Sequence, residues 1–383
     1  MIKRILNIDK IIARKSLFLF GPRMTGKTTY LKQKYADALF IDLLDLDTLR
    51  TLQVTPKSLH DWITKHKKSN LVIVDEIQKL PELLNEIHRI IELKKEVRFI
   101  LTGSSARKLK KLGVNLLGGR ASEIHMKPLT LFEIKDHEFS WQDALRVGLL
   151  PSIVTSPEPR LDLKDYINLY LQREIKEEAL VKNFLNFSRF IDFAAHANTE
   201  LLNFTSLGSD AQIAPRTVQD YFSILEDTLL GEKLPPFNSA KRKNITTSKF
   251  YFFDNGVVNY LTSHLNLKKG SPEFGKAFEQ LVFCELSAFK SYNFQTQIDL
   301  YFWRTHSQLE VDFILVVEEK IFAIEVKATS QPRLKDFGGL RSFKDEFPEA
   351  KLLMVTPTSH SAISNDIEVL SILDFVNWLW TIK

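Results

Sequence analysis

The stretch GPRMTGKT, Gly21 to Thr28, limits the fold of this chain more than any other feature of its sequence. It has the spacing GxxxxGK[ST], and it lies between the apolar run LFLF at Leu17 to Phe20 and the helical pattern TTYLKQKY that starts at Thr28. A strand that turns through glycines into a helix aims successive main-chain N–H groups, and the positive end of that helix, at one point. Such a point binds phosphate. Gly21 and Gly26 supply the backbone freedom the turn needs. Lys27 is placed to reach the terminal phosphates of ATP and Thr28 to ligate Mg2+. Pro22, Arg23, Met24, Thr25 and Thr29 complete the expected phosphate-contacting segment.

The segment LVIVDEIQKLP supplies a second half, an apolar strand that ends in Asp75 and Glu76. Ligands of parallel α/β sheets bind at the carboxyl ends of the strands. Asp75 is therefore expected to hold Mg2+ and Glu76 to polarise the attacking water as general base. Alone, such an acid pair more often opens a solvated loop or caps a helix; joined to a complete phosphate loop it predicts hydrolysis. In RFILTGSSARKL another strand runs into Thr102, Ser104 and Ser105, which could sense a γ-phosphate but also suit an ordinary turn. Arg120, in NLLGGR, is either a surface arginine or a guanidinium offered to developing phosphate charge, in a neighbouring subunit if the chain oligomerises.

Apolar runs at Leu17 to Phe20, Leu39 to Ile41, Leu71 to Val74 and Val97 to Leu101 alternate with helical patterns, which predicts a parallel α/β sheet. At 383 residues the chain is too long for one core. The expected division is a P-loop core at 1–128, a helical lid or connector at 129–186, a winged-helix-like module at 187–249 and a second α/β domain at 250–383. The winged-helix reading rests on a helix from Phe187, a second near Leu207 to Gln212, a third opened by Pro215, and a β-ribbon in LLGEKLPPF. Arg216 and Gln219 are then candidates for groove contacts. Lys241, Arg242, Lys243 and Lys249, in the basic stretch 241–249, are candidates to track a DNA or RNA backbone. Winged helices also bind proteins, so a nucleic-acid partner is one reading of two.

The net charge of +5 is too small to decide between them. Cys284 is the only cysteine, which leaves no intrachain disulfide and no cysteine-rich zinc site and fits a reducing, cytoplasmic setting. No apolar run approaches the roughly 20 residues that span a bilayer, so no membrane insertion is expected. His306 has no second histidine at ligand spacing and reads as a loop residue.

The motifs GPRMTGKTT, VDEIQKLPELL, FILTGSSARKL, LLGGR and KPLTLFEI, in this order, resemble the prokaryotic AAA-type ATPases that carry the C-terminal domain DUF4143. KFYFFDNGVVNYL, FGKAFEQLVFCEL, VDFIL and AIEVKA resemble that C-terminal domain. The resemblance implies an additional-strand P-loop core, a winged-helix-like middle and a C-terminal domain similar to the PD-(D/E)xK nuclease fold. In YLQREI, Glu174 stands where the family pattern has aspartate.

The C-terminal residues carry a constellation of their own: Glu279 on a helix, Asp312 in EVDFILVV, and Glu325 with Lys327 in IFAIEVKA. Residues two apart in a strand share a face, so Glu325 and Lys327 point the same way. Glu279, Asp312 and Glu325 would hold Mg2+, with Lys327 orienting water for metal-dependent cleavage of nucleic acid. An exposed charged edge strand would look similar. Two functions follow. One is a Mg-ATPase coupled to nucleic-acid binding and to cleavage. The other is an ATP-driven regulatory switch with an inert nuclease-like domain and a protein partner.

Overall fold

A computed structural model describes residues 2–66, 68–104, 109, 117–171, 184–237, 246–357, 362–364 and 366–382. The first sheet contains β1 (Ser16–Phe20), β2 (Leu39–Asp42), β3 (Leu71–Asp75), β4 (Arg98–Gly103) and β5 (Ala121–His125). All are parallel, in the order β2-β3-β4-β1-β5. Every residue of β1 and β3 is buried, as strands covered on both faces require. β4 lies between β1 and β3, which is the inserted strand the resemblance implies. The carboxyl ends of β1, β3 and β4 therefore open side by side.

Short helices follow, among them Leu131–Ile134, Trp141–Val147 and Pro159–Asp165. They give way to the helices Phe184–His196, Phe204–Ala211 and Pro215–Asp227. Phe187, Phe190, Tyr221 and Phe222 stack in the core of that trio, with rings in contact at 4.9–5.5 Å. Aromatic pairs in such edge and tilted contacts add about 0.5–1.5 kcal/mol each beyond their burial.

The ribbon of this module is β6 (Gly231–Leu234) paired antiparallel with β7 (Lys249–Phe252), and Leu201 bridges to Lys249 on its other side. Three helices and a ribbon are the winged-helix plan, but LLGEKLPPF supplies only one of the two strands. Pro235 and Pro236 lack the N–H a returning strand would donate. Instead Phe302 donates its N–H to the Pro235 carbonyl at 3.1 Å, so PPF leaves the ribbon and runs beside the C-terminal sheet.

That sheet is mixed, in the order β12-β13-β11-β10-β9-β8. β8 (Ile298–Arg304), β9 (Glu310–Val317) and β10 (Lys320–Val326) form an antiparallel meander. β11 (Lys351–Thr356) and β13 (Ile367–Ser371) continue parallel, and β12 (Ala362–Ser364) closes the edge. The helix Pro272–Tyr292 packs Phe278, Leu281, Val282 and Leu286 into the core that this sheet shares with Ile372–Thr381. Among the described residues no helix is long and apolar enough to cross a membrane.

Candidate functional site

β1 ends at Phe20 and the chain turns through Gly21 to Gly26 into the helix Lys27–Lys34. A Cβ on Gly21 would lie 2.4 Å from the Met126 carbonyl oxygen, so no larger residue fits there. Gly26 sits at φ +87°, the left-handed region that side chains disfavour. Thr25 is fully buried and its hydroxyl donates to the Pro22 carbonyl at 2.8 Å, closing the loop on itself. The Lys27 ammonium lies inside the loop, donating to the Gly21 and Pro22 carbonyls at 2.7 and 3.0 Å. Pro22, Arg23, Met24 and Thr29 flank this cradle. Met24 is also left-handed, at φ 63°.

The strand ends meet as the sequence predicts. Thr28 Oγ1 donates to Asp75 Oδ2 at 2.7 Å, and the Thr102 hydroxyl donates to Asp75 Oδ1. Asp75 is thus buried between a hydroxyl from the phosphate loop and one from β4. The Glu76 N–H donates to Thr102 Oγ1 at 3.1 Å, so Thr102 ties the acid pair to β4. Glu76 itself is left-handed at φ 61° and ψ 46°. A glutamate held there costs energy, and strain of this kind gathers at functional positions.

Two participants escaped the sequence reading. Gln78, nearly buried, donates through Nε2 to Glu76 Oε2 and to Ser104 Oγ, the latter at 3.2 Å. A Cβ on Gly103 would lie 2.6 Å from Gln78 Oε1, so the glycine that ends β4 makes room for this amide. The signal was present in VDEIQ, two positions past Glu76. The other is Arg4, which donates to the Thr25 carbonyl at 2.7 Å. Nothing in MIKRIL distinguishes it from a surface arginine. Ser105 and Glu174 lie outside the described residues.

Arg120 is at the opposite edge of the sheet. The next residue, Ala121, pairs with Ser16 at the amino end of β1, and the guanidinium bonds Glu92. It does not approach the phosphate loop of its own chain.

In the C-terminal domain Glu325 stands opposite Asp312, one step beyond the Ile324 and Phe313 pair. Lys327 Nζ reaches Glu325 Oε1 at 2.5 Å, so the two share a face as strand alternation requires. Asp312 Oδ2 accepts the Val326 N–H at 2.8 Å, and Glu325 Oε2 is buried without a hydrogen-bond partner. Burial, and repulsion from Asp312, push the Glu325 carboxyl well above the usual range.

The expected metal shell of Glu279, Asp312 and Glu325 is not formed: among the described residues no three histidine, cysteine, aspartate or glutamate side chains are arranged to hold a metal. The physical reason is Lys249. Its ammonium lies 3.2 Å from Glu279 Oε1, 2.5 Å from Glu310 Oε1 and 3.8 Å from Asp312 Oδ1. Burial pulls the ammonium pKa down, but attraction to Glu279, Asp312 and Glu310 outweighs it and the pKa is raised. Tyr251 adds a hydroxyl to Glu279 Oε1 at 2.6 Å. Burial still lifts the Glu279 carboxyl to about 7. Lys249 was expected on a nucleic-acid backbone, and a buried lysine cannot serve there. Lys241, Arg242 and Lys243 lie outside the described residues. His306 falls in the turn between β8 and β9, as expected of a loop residue.

Three family models match the chain: an AAA domain at residues 13–135, a domain of unknown function, DUF8612, at 138–269, and DUF4143 at 274–375. An uncharacterized protein of Mycobacterium tuberculosis is 27% identical over 359 residues, covering 90% of this chain and 77% of that protein. One from Haemophilus influenzae is 24% identical, covering 94% and 92%. Among solved structures, a signal transduction ATPase with a tetratricopeptide repeat sensor from Pyrococcus horikoshii aligns at 12% identity and a TM-score of 0.28. That alignment covers 77% of this chain and 48% of that one, so the chain spans about half its length, and the likeness is too slight to speak to function. With the phosphate loop on its inserted-strand sheet and these models matched, the chain carries an N-terminal AAA-type P-loop domain and a C-terminal DUF4143 domain.

Proposed function

We propose that the protein binds ATP with Mg2+ and hydrolyses it at the phosphate loop. One observation carries the reading: the hydroxyls of Thr28 and Thr102 converge on the buried Asp75 carboxylate, beside a Glu76 that Gln78 restrains. Hydroxyl and carboxylate oxygens at one point are the hard ligands Mg2+ prefers, so the residues fit the ion, with Thr28 and Asp75 holding it directly or through water. Bound there, the ion would offset phosphate charge. The loop amides orient the phosphates, Lys27 leaves the Gly21 and Pro22 carbonyls for the terminal ones, and Glu76 takes the proton of the attacking water. Calorimetry with Mg-ATP tests this. Association is expected for the intact chain, Lys27→Ala should lose it, and EDTA should stop turnover. No heat from the folded wild type would end the reading.

The working division stays the expected one, with a core at 1–128, a connector at 129–186, a winged-helix-like module at 187–249 and the last domain at 250–383, except that the rest of β7, to Phe252, is counted with the module whose ribbon it completes. We assign that module a DNA or RNA partner. Its support is the exposed Arg216 and Gln219 on the first turns of Pro215–Asp227, although Asp220 sits 3.8 Å from the Arg216 guanidinium. Binding to labelled duplex should weaken steeply as salt rises. Salt-insensitive capture, or none, would favour the switch with a protein partner.

A further inference from the structure

The fold that the resemblance implies would hold a divalent metal among Glu279, Asp312 and Glu325, and the residues present do not fit one. Mg2+ binds oxygen ligands at about 2.0–2.1 Å and its relatives at up to about 2.6 Å. An ion at those distances from Glu279 and Asp312 would sit against the Lys249 ammonium, which lies 3.2 Å and 3.8 Å from those two carboxylates and 2.5 Å from Glu310 beside them.

The lysine does not come from the domain whose carboxylates it neutralises. β7 pairs with β6 of the three-helix module, and Lys249 and Tyr251, two residues apart, project from one face of it onto the helix Pro272–Tyr292. The stem of Lys249 is sealed in, with 5% of its side chain exposed, and the ammonium passes 5.8 Å from the Phe302 ring. Glu325 Oε2, buried and without a partner beside Asp312, is the oxygen that a metal would satisfy and a single ammonium does not reach.

We propose that Lys249 is the resident cation of this cluster, a built-in substitute for a divalent metal that pins the β6 and β7 ribbon to the DUF4143 domain. Its carboxylates are closed to metal-dependent cleavage while β7 is in place. Taking the ammonium away leaves carboxylates with too few positive partners, and they recover charge balance by taking a metal ion.

The test uses the full chain without nucleotide, so its outcome is independent of the ATP reading. Bound Mn2+ is counted by electron paramagnetic resonance. In the wild-type background Asp312→Asn should leave the Mn2+ count unchanged. Lys249→Met should bind about one further equivalent, which Asp312→Asn in the same chain removes, and its melting temperature should rise with Mn2+ where that of the wild type does not. A wild-type Mn2+ equivalent that Asp312→Asn removes, or no gain in Lys249→Met, overturns the proposal. Should Lys249→Met fail to fold, reductive methylation of the wild type read by mass spectrometry decides. Lys249 should stay unmodified with and without saturating Mn2+, and methylation that appears when Mn2+ is added shows that the metal displaces it.

Discussion

The Arg4 guanidinium donates through Nη1 to the Thr25 main-chain oxygen, 2.7 Å away inside the phosphate loop. Its other donors reach the Lys127 and Pro128 carbonyls, the Tyr292 hydroxyl and Glu133 Oε1, all at 2.8–3.0 Å. One buried side chain therefore joins the nucleotide loop, the exit from β5 and the end of the long helix of the DUF4143 domain. Thr25 and Tyr292 are thus joined through a single residue.

Arg4→Ala would leave the Glu133 carboxylate, 1% exposed, without its counter-charge. Breaking a buried pair from one side costs about 3–5 kcal/mol, and a fall of that order is expected in urea unfolding, together with weaker ATP binding. Arg4→Lys restores charge but not the planar fork, so it should fall between. Wild-type stability in Arg4→Ala would show that the network is incidental.

Glu76→Gln should keep ATP affinity and lose turnover by about a hundred- to ten-thousand-fold, the usual worth of a general base. Gln78 bonds Glu76 and Ser104, so Gln78→Ala should lower kcat by less and leave the ATP dissociation constant unchanged. Because Glu76 is left-handed, Glu76→Gly should raise the melting temperature while abolishing turnover. Unchanged hydrolysis in Glu76→Gln would remove that residue from the role of base.

The nucleotide half of the site was legible because its chemistry is local. A phosphate loop must be contiguous, and an acid pair at a strand end declares itself by the apolar run before it. Thr102 was within reach for the same reason, as the first polar residue after β4's apolar run. The C-terminal cluster was half legible. Alternation put Glu325 with Lys327 and the strand order put Asp312 beside them, but the cation between the carboxylates comes from β7, which pairs outside that sheet. Lys249 reads in sequence as one more residue of a basic stretch, and only its tertiary contacts identify it as a buried cation. Arg4 was illegible for a related reason, since three of its partners are main-chain carbonyls, which leave no mark in a sequence, and its side-chain partners Glu133 and Tyr292 are far away along the chain.

Glu285 gives a pH signature. It is fully buried, takes the Leu131 N–H and the Trp380 indole N–H, and burial lifts its carboxyl to about 8. An unfolded glutamate titrates near ~4.3. Between those values the folded state holds a proton that the unfolded state has lost, so stability is greatest at low pH and falls as pH rises through the window, by about 1.4 kcal/mol per unit from this group. Glu285→Gln stays neutral throughout. Urea midpoints compared between pH 5 and 8 should fall less in the variant, and equal slopes would mean the carboxylate is ionised in the fold.

Arg120 and the phosphate loop occupy opposite ends of β1, whose five residues at ~3.3 Å each separate them by about 16 Å. A guanidinium at that distance stabilises phosphate charge only in another chain. It lies among Arg14, Lys15, Lys95 and Arg98 in a recess where Glu92 is the acid that bonds it, a surface suited to the polyanion of a neighbour's bound nucleotide. If two chains meet this way, turnover per chain rises with protein concentration, and Arg120→Ala abolishes that rise without changing the ATP affinity of the single chain. Mixing Arg120→Ala with Glu76→Gln should then restore part of the turnover, because each supplies what the other lacks. Turnover that is independent of concentration and indifferent to Arg120→Ala would leave Arg120 as a surface arginine held by Glu92.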